Sequence, residues 1–198
     1  MWRRRLGRER GRVGLGVCAW SGSRRKVGVR TVSGATVWRT VVRRLYGRIT
    51  LKVFVDTDGV LLSVDRDKSY RASLADHAVS FLEFAVRHFE VYWLAPQCRG
   101  DAEAVVSHLV RHAKLSDRER LMSVASKVRV TNYDDDRTEA LPQDGNFVWF
   151  DDELSEGEMA VLKRCGWLTR WQWIDTREEP EDLLRARKWL ESHLAKQP

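Results

Sequence analysis

Cysteine is scarce in this chain. Cys18, Cys98 and Cys165 are the only three in 198 residues, far apart and never in a C-x-x-C arrangement. That excludes a disulfide framework and a thiolate zinc site, and makes a reducing compartment, the cytoplasm, the expected location. Long apolar runs are missing too. The one candidate, Val13 to Trp20, is interrupted by glycine and too short to cross a membrane, and it makes a weak secretory core. No internal repeat is visible. His108 and His112 stand four apart on an expected helix and in principle could share a metal. The stretch His108-Leu109-Val110-Arg111-His112, however, lacks the glutamate a zinc protease motif needs, so a solvated helix face is expected.

Acidic residues are nearly absent from the first quarter of the chain. Residues 1–50 carry 14 of the 35 Lys+Arg and a single acid, Glu9, so the net +7 resolves into +13 there and −6 in residues 51–198. The overall basic balance therefore describes the leader and not the remainder. Arg3, Arg4, Arg5, Arg8, Arg10 and Arg12 are followed by Gly, Val and Ser with no sustained apolar period. Three readings fit. The leader could bind nucleic acid by neutralising phosphates, with Trp2, Trp20 and Trp38 as stacking groups. It could be an Arg-rich, acid-poor targeting peptide. Or it is not a native functional segment, its start having been placed too far upstream; the lack of an amphipathic pattern and of a clean cleavage site favours this. Residues 1–49 are expected to be mostly disordered and residues 50–198 to form one domain.

The 43% hydrophobic content is enough for one ordinary core. From Leu51 the pattern alternates strand and helix, which predicts an α/β fold: a three-layer, Rossmann-like domain with a mainly parallel sheet and helices on both faces. Strands are expected at Val53–Val55, Val91–Leu94, Val128–Val130, Asn146–Phe150 and Trp171–Ile174. Helices are expected from Ser73 to Phe89 with Ser73 as N-cap, from Asp101, from Asp117, from Leu154 to Arg164, and after Pro180. Trp171 and Trp173 alternate at strand spacing. They are read as packing beneath the last helix against Trp189, in preference to stacking on nucleic acid.

The most informative stretch is Val53-Phe54-Val55-Asp56-Thr57-Asp58-Gly59-Val60-Leu61-Leu62. A buried apolar strand ends in two carboxylates one residue apart, and then in a glycine that permits a sharp turn. Like charges at a strand end repel unless a cation or a shared proton lies between them. A second acidic pair closes another apolar strand at Phe147-Val148-Trp149-Phe150-Asp151-Asp152. Asp56, Asp58, Asp151 and Asp152 together make an oxygen-rich cluster suited to Mg2+ and a phosphoryl group. An EF-hand is excluded, because Gly59 falls at the fourth loop position and not the sixth. One carboxylate beside the ion can attack phosphorus; the other can protonate the leaving oxygen.

The first of these stretches resembles motif I of the haloacid dehalogenase (HAD) superfamily, and the second resembles its motif IV. The likeness in order and strand context spans about residues 51–175. It implies that Asp56 is the nucleophile, Asp58 the acid/base, and Asp151 a direct metal ligand with Asp152 assisting; the backbone carbonyl of Asp58 would be a further ligand. Two positions depart from that pattern. Ala95, after Val91-Tyr92-Trp93-Leu94, stands where the family has the Ser or Thr of motif II that binds the phosphoryl group. Arg137, in Asp136-Arg137-Thr138-Glu139-Ala140-Leu141, stands where motif III has its Lys, with Lys127 the other candidate. Arg keeps the charge and binds phosphate, but its planar fork is not equivalent to an ammonium.

The gaps from Leu62 to Val91 and from Pro96 to Val130 are too short for a cap domain, which is similar to the capless HAD type. An open site of that kind suits a large phosphorylated substrate, a protein or a nucleic-acid end, or else an oligomer or partner that covers it. The expected function is a slow Mg2+-dependent phosphatase. The alternative is a catalytically impaired HAD-like module that binds a phosphorylated partner or acts as a scaffold.

Overall fold

Strand β1 (Lys52–Val55) lies at the centre of a parallel sheet because both of its faces are apolar and neither can face water. It pairs on one side with β4 (Glu90–Trp93) and on the other with β5 (Phe147–Asp151), and β6 (Trp171–Trp173) extends the sheet beyond β5, in the order β4-β1-β5-β6. All three pairings are parallel, and every residue of β5 is buried. The computed structural model describes residues 51–64 and 71–195, all within one compact unit. The leader readings, with Cys18, Trp2, Trp20 and Trp38, lie outside the described residues.

Strand alternation divides the core in two. Val53, Val55, Val91, Trp93, Val148 and Phe150 face one side, where they meet four helices: α1 (Ala78–His88), α2 (Ala102–His112), α3 (Leu115–Ala125) and α5 (Asp182–Ala195). Phe54, Phe147 and Trp149 face the other side, where they meet Leu162 of α4 (Glu156–Cys165) together with Tyr133 and Leu141. The result is the three-layer α/β arrangement expected from the alternating pattern. Trp93 and Trp149 are fully buried on opposite faces. Each such ring removes about 150–250 Å2 from water, about 4–6 kcal/mol at the usual area coefficient, which is ample to fix which residues of the strands face which layer.

Several expected element bounds are corrected. Ser73 does not cap a helix. It pairs with Ser63 in an antiparallel hairpin formed by β2 (Leu62–Val64) and β3 (Ala72–Leu74). Helix α1 starts only at Ala78, after His77 in a left-handed conformation, although its buried stripe of Ala78, Phe81, Leu82 and Ala85 is the expected one. Helix α3 begins at Leu115 and not at Asp117, which sits in its first turn. The strand expected at Val128–Val130 is a single bridge, in which Arg129 bonds Val91 and Trp93 through the backbone at 2.9 Å. Helix α4 begins at Glu156 because Ser155 and Glu158 form a capping box. Trp171 and Trp173 do not sit beneath the last helix: Trp171 packs with the Phe54 cluster, Trp173 is exposed, and Trp189 meets Phe150 edge-on at 6.2 Å. Among the described residues no helix is long and apolar enough to cross a membrane.

Candidate metal centre and active site

Register places the acids. Val55 pairs with Phe150, and the Asp56 amide continues the ladder to the Phe150 carbonyl at 3.1 Å, so Asp56 and Asp151 leave the sheet side by side. Alternation puts both on the Trp149 side. The sheet order makes this the switch point between β1 and β5, where the chain turns from one flank of the sheet to the other and where open α/β sheets bind ligands. Asp152 follows from the same strand end. One oxygen from each of Asp56, Asp151 and Asp152 lies within 4.8 Å of the others, a group that can hold a metal ion. The donors are all carboxylates, as a hard divalent cation requires, and Asp56 Oδ1 is buried with no hydrogen-bond partner. The residues fit such an ion.

Electrostatics argue the same way. Burial, then the neighbouring Asp151 carboxylate, hold the Asp56 pKa well above the usual carboxylate range in spite of Arg137. Asp151 is pushed up to about 7, chiefly by burial, against the opposing pull of Arg137. Asp152, half-buried, is also raised by burial although Arg177 draws it down. Three raised carboxylates in one corner are a standing cost that a cation would remove.

Gly59 allows the close approach. It has φ 78°, and a Cβ there would collide with the Asp152 carboxylate. Its carbonyl accepts from the amide and hydroxyl of Thr176 at 2.8 and 3.0 Å. The loop after β6 is thereby tied to the turn after β1. From that loop Arg177 grips Asp175 with Nε and one Nη, at 2.8 and 2.9 Å, and reaches Asp152 with the same Nη. Burial works to raise the Asp175 pKa, but these bonds hold it below the usual range.

Arg137 enters from the opposite side on a 3-10 turn, Arg137–Ala140, opened by the Asp136 side chain. Its guanidinium lies 4.9 Å over the Trp149 ring and bonds Asp151 Oδ2 at 2.7 Å, buried Glu158 at 2.6 and 3.0 Å and the Glu153 carbonyl at 3.1 Å, with Asp56 Oδ1 at 3.7 Å. Four of the five guanidinium N–H donors are thereby bonded, and Asp56 Oδ1 lies within ion-pair range but beyond hydrogen-bond distance. Trp149 Nε1 and the Glu153 amide, each at 2.9 Å, complete the Asp151 carboxylate.

Asp58 stands outside this cluster. Its exposed carboxylate is held at both oxygens, by Gln97 Nε2 at 2.7 Å and His108 Nε2 at 2.9 Å. The His108 side of α2 is therefore not a solvated face: His108 reaches the site, and His112 Nδ1 bonds the Ala72 carbonyl at 3.1 Å. Ala95 is fully buried, offers no side-chain donor, and accepts the Tyr133 hydroxyl on its carbonyl at 3.0 Å.

Asp56, Asp58, Arg137, Asp151 and Asp152 thus line one cleft of about 520 Å3. A larger groove of about 670 Å3 runs between α1 and α3, but its lining is surface charge of both signs, such as the Arg120–Glu83 pair at 2.8 Å, without convergent buried carboxylates. The convergent buried carboxylates belong to the smaller cleft. Arg177, Asp175, Glu158, Gln97 and His108 were not singled out as part of this site from the sequence; Asp175 comes with Arg177, two residues on, and each of the others reaches it through a long-range contact that leaves no local pattern. No protein-family model and no curated protein matches this chain, so the function of the cleft rests on its own chemistry.

Proposed function

We propose that the chain is a Mg2+-dependent phosphomonoester hydrolase of the HAD type, acting through an aspartyl-phosphate on Asp56. The observation that carries this reading is the convergence of Asp56, Asp151 and Asp152 at the carboxyl ends of two adjacent parallel strands, with Asp56 Oδ1 unpartnered. These three carboxylates would hold Mg2+, which when bound would offset the charge of the cluster and of a phosphoryl group. Asp56 attacks phosphorus from the cleft floor, and the bond from phosphorus to the leaving oxygen breaks. Asp58, fixed by Gln97 and His108, gives that oxygen its proton and later takes one from the water that releases phosphate. Arg137 holds Asp151 in place and balances its charge, because four of its five N–H donors are already engaged by Asp151, Glu158 and the Glu153 carbonyl.

Ala95 supplies no hydrogen bond to the phosphoryl oxygens. A missing donor of this kind costs about 100- to 1,000-fold in rate, so slow turnover is expected. The exposed rim, with Asp58, Pro96 and Glu153 open to solvent, suits a large phosphorylated substrate in a reducing, cytoplasmic setting. A second reading, a non-catalytic module that binds a phosphorylated partner, is favoured by the same Ala95 and by the engagement of Arg137. The experiment that separates them measures Mg2+-dependent release of phosphate from p-nitrophenyl phosphate, a phosphopeptide and a phosphorylated oligonucleotide by the full chain and by Asp56→Asn. Turnover lost in the variant supports the hydrolase; equal release by both, or by neither, leaves the binding module.

A further inference from the structure

Of the three guanidiniums that line the cleft, two are ion-paired with carboxylates. Arg137 is ion-paired with Asp151 and Glu158, and Arg177 with Asp175 and Asp152. Arg99 is different. It is exposed at the rim, beside Pro96, and has no carboxylate ion-pair partner among the described residues. Its position is nevertheless built. The loop after β4 folds back on itself, with the Cys98 amide bonded to the Ala95 carbonyl at 2.9 Å and the Gly100 amide to Thr131 at 2.7 Å. Arg99 takes φ 26° in this turn, a conformation that costs a side-chain-bearing residue energy and is tolerated where surrounding contacts impose it. The guanidinium rests 5.6 Å from the centre of the Tyr133 ring, and the Tyr133 hydroxyl is locked to Ala95. A cation is thus pre-set over a cleft that is otherwise rich in acid.

Depth decides what this cation can meet. A phosphoryl group under attack must touch Asp56, which is 4% exposed at the cleft floor, whereas Arg99 stands in solvent at the rim. We propose that Arg99 is the specificity-determining residue of the cleft, reading a second oxyanion, phosphate or carboxylate, on the part of the substrate outside the reacting phosphoryl group. This rests on the hydrolase reading for the identity of the first group. It selects, among phosphomonoesters, those whose leaving portion is itself anionic.

The test compares a nucleoside 3′,5′-bisphosphate with the matching 5′-monophosphate. Both are titrated calorimetrically in Mg2+ into the full chain carrying Asp56→Asn, which cannot form the aspartyl-phosphate, alone or combined with Arg99→Gln or Arg99→Lys. kcat/KM for the same two compounds is measured with Asp56 intact. The parent is expected to prefer the bisphosphate by about 10-fold, the low end for a charge-assisted contact because the site is exposed. Arg99→Gln should erase that ratio, and Arg99→Lys should keep part of it. A ratio unchanged by Arg99→Gln, no preference in the parent, or failure of both ligands to bind would each overturn the proposal. Absence of turnover with the Arg99-dependent binding ratio intact removes the hydrolase reading alone. Turnover with a ratio insensitive to Arg99 removes the present inference alone.

Discussion

Replacing Asp56 by Asn should make the chain more stable in chelator, by an amount set by pH. Asp56 is 4% exposed, its Oδ1 has no hydrogen-bond partner, and burial together with Asp151 raises its pKa well above 3.8. A carboxyl whose folded pKa is raised binds a proton in the folded chain that the unfolded chain has released. Its contribution to stability is therefore fully present below the unfolded pKa and is lost as pH rises toward the folded pKa. While Asp56 stays protonated in the folded chain the loss is about 1.4 kcal/mol per pH unit. Asn has the same shape, accepts the Thr57 amide as well as the carboxylate does, and does not titrate. The difference between Asp56→Asn and the parent should then be near zero at about pH 4 and grow as pH rises, by at most about 1.4 kcal/mol per pH unit. Urea denaturation in EDTA at three pH values reads this directly. Adding Mg2+ should raise the stability of the parent more than that of the variant, by linkage. An Asp56→Asn chain that is less stable than the parent at neutral pH in EDTA, or a difference that does not move with pH, would refute the account of Asp56 as a buried acid awaiting a cation.

Three further outcomes follow from the site. Gly59→Ala, at φ 78° and against the Asp152 carboxylate, should cost about 1–3 kcal/mol in urea denaturation and weaken Mg2+ binding by calorimetry, since Asp152 has to move. Glu158→Gln should cost about 3 kcal/mol, because it leaves the enclosed Arg137 short of its closest counter-charge while keeping side-chain size; denaturation at neutral pH measures it. Trp149→Phe removes the indole donor 2.9 Å from Asp151 Oδ2. The Asp151 pKa then rises further from about 7, protons compete better with the ion, and the midpoint of Mg2+ binding in a pH titration should move upward.

The two acid pairs were legible in the sequence because each breaks a pattern. A run buried on both faces has no packing reason to end in carboxylates, and two such runs in a βα alternation become neighbours through parallel pairing. Val55 beside Phe150 then brings Asp56 beside Asp151 without further assumption. The other groups at the site carry no such signal. Asp58 and His108 are 50 residues apart and Asp152 and Arg177 are 25 apart; an ion pair across that distance has no period to detect. Ser73 misled for a local reason: serine serves a helix cap and a short strand equally, and hairpin pairing with Ser63 decided between them. At Val128–Val130 the β-branched residues suggested a strand, but only Arg129 finds a partner, so propensity set the conformation without extending the sheet.

Arg137 shows where reading the sequence position alone falls short of the structure. The resemblance drawn from the sequence puts it at the place of a phosphate-binding lysine. Lysine, with three donors on a tetrahedral head, could not grip Glu158 with two parallel bonds while also holding Asp151 and the Glu153 carbonyl, and an ammonium would not lie flat over Trp149. The planar fork does all of these at once. The consequence is that its charge is offset within the protein, by Asp151 and Glu158 on the wall of the cleft. On the proposed reading, an anion that enters would be met by a cation at the floor and by Arg99 at the rim.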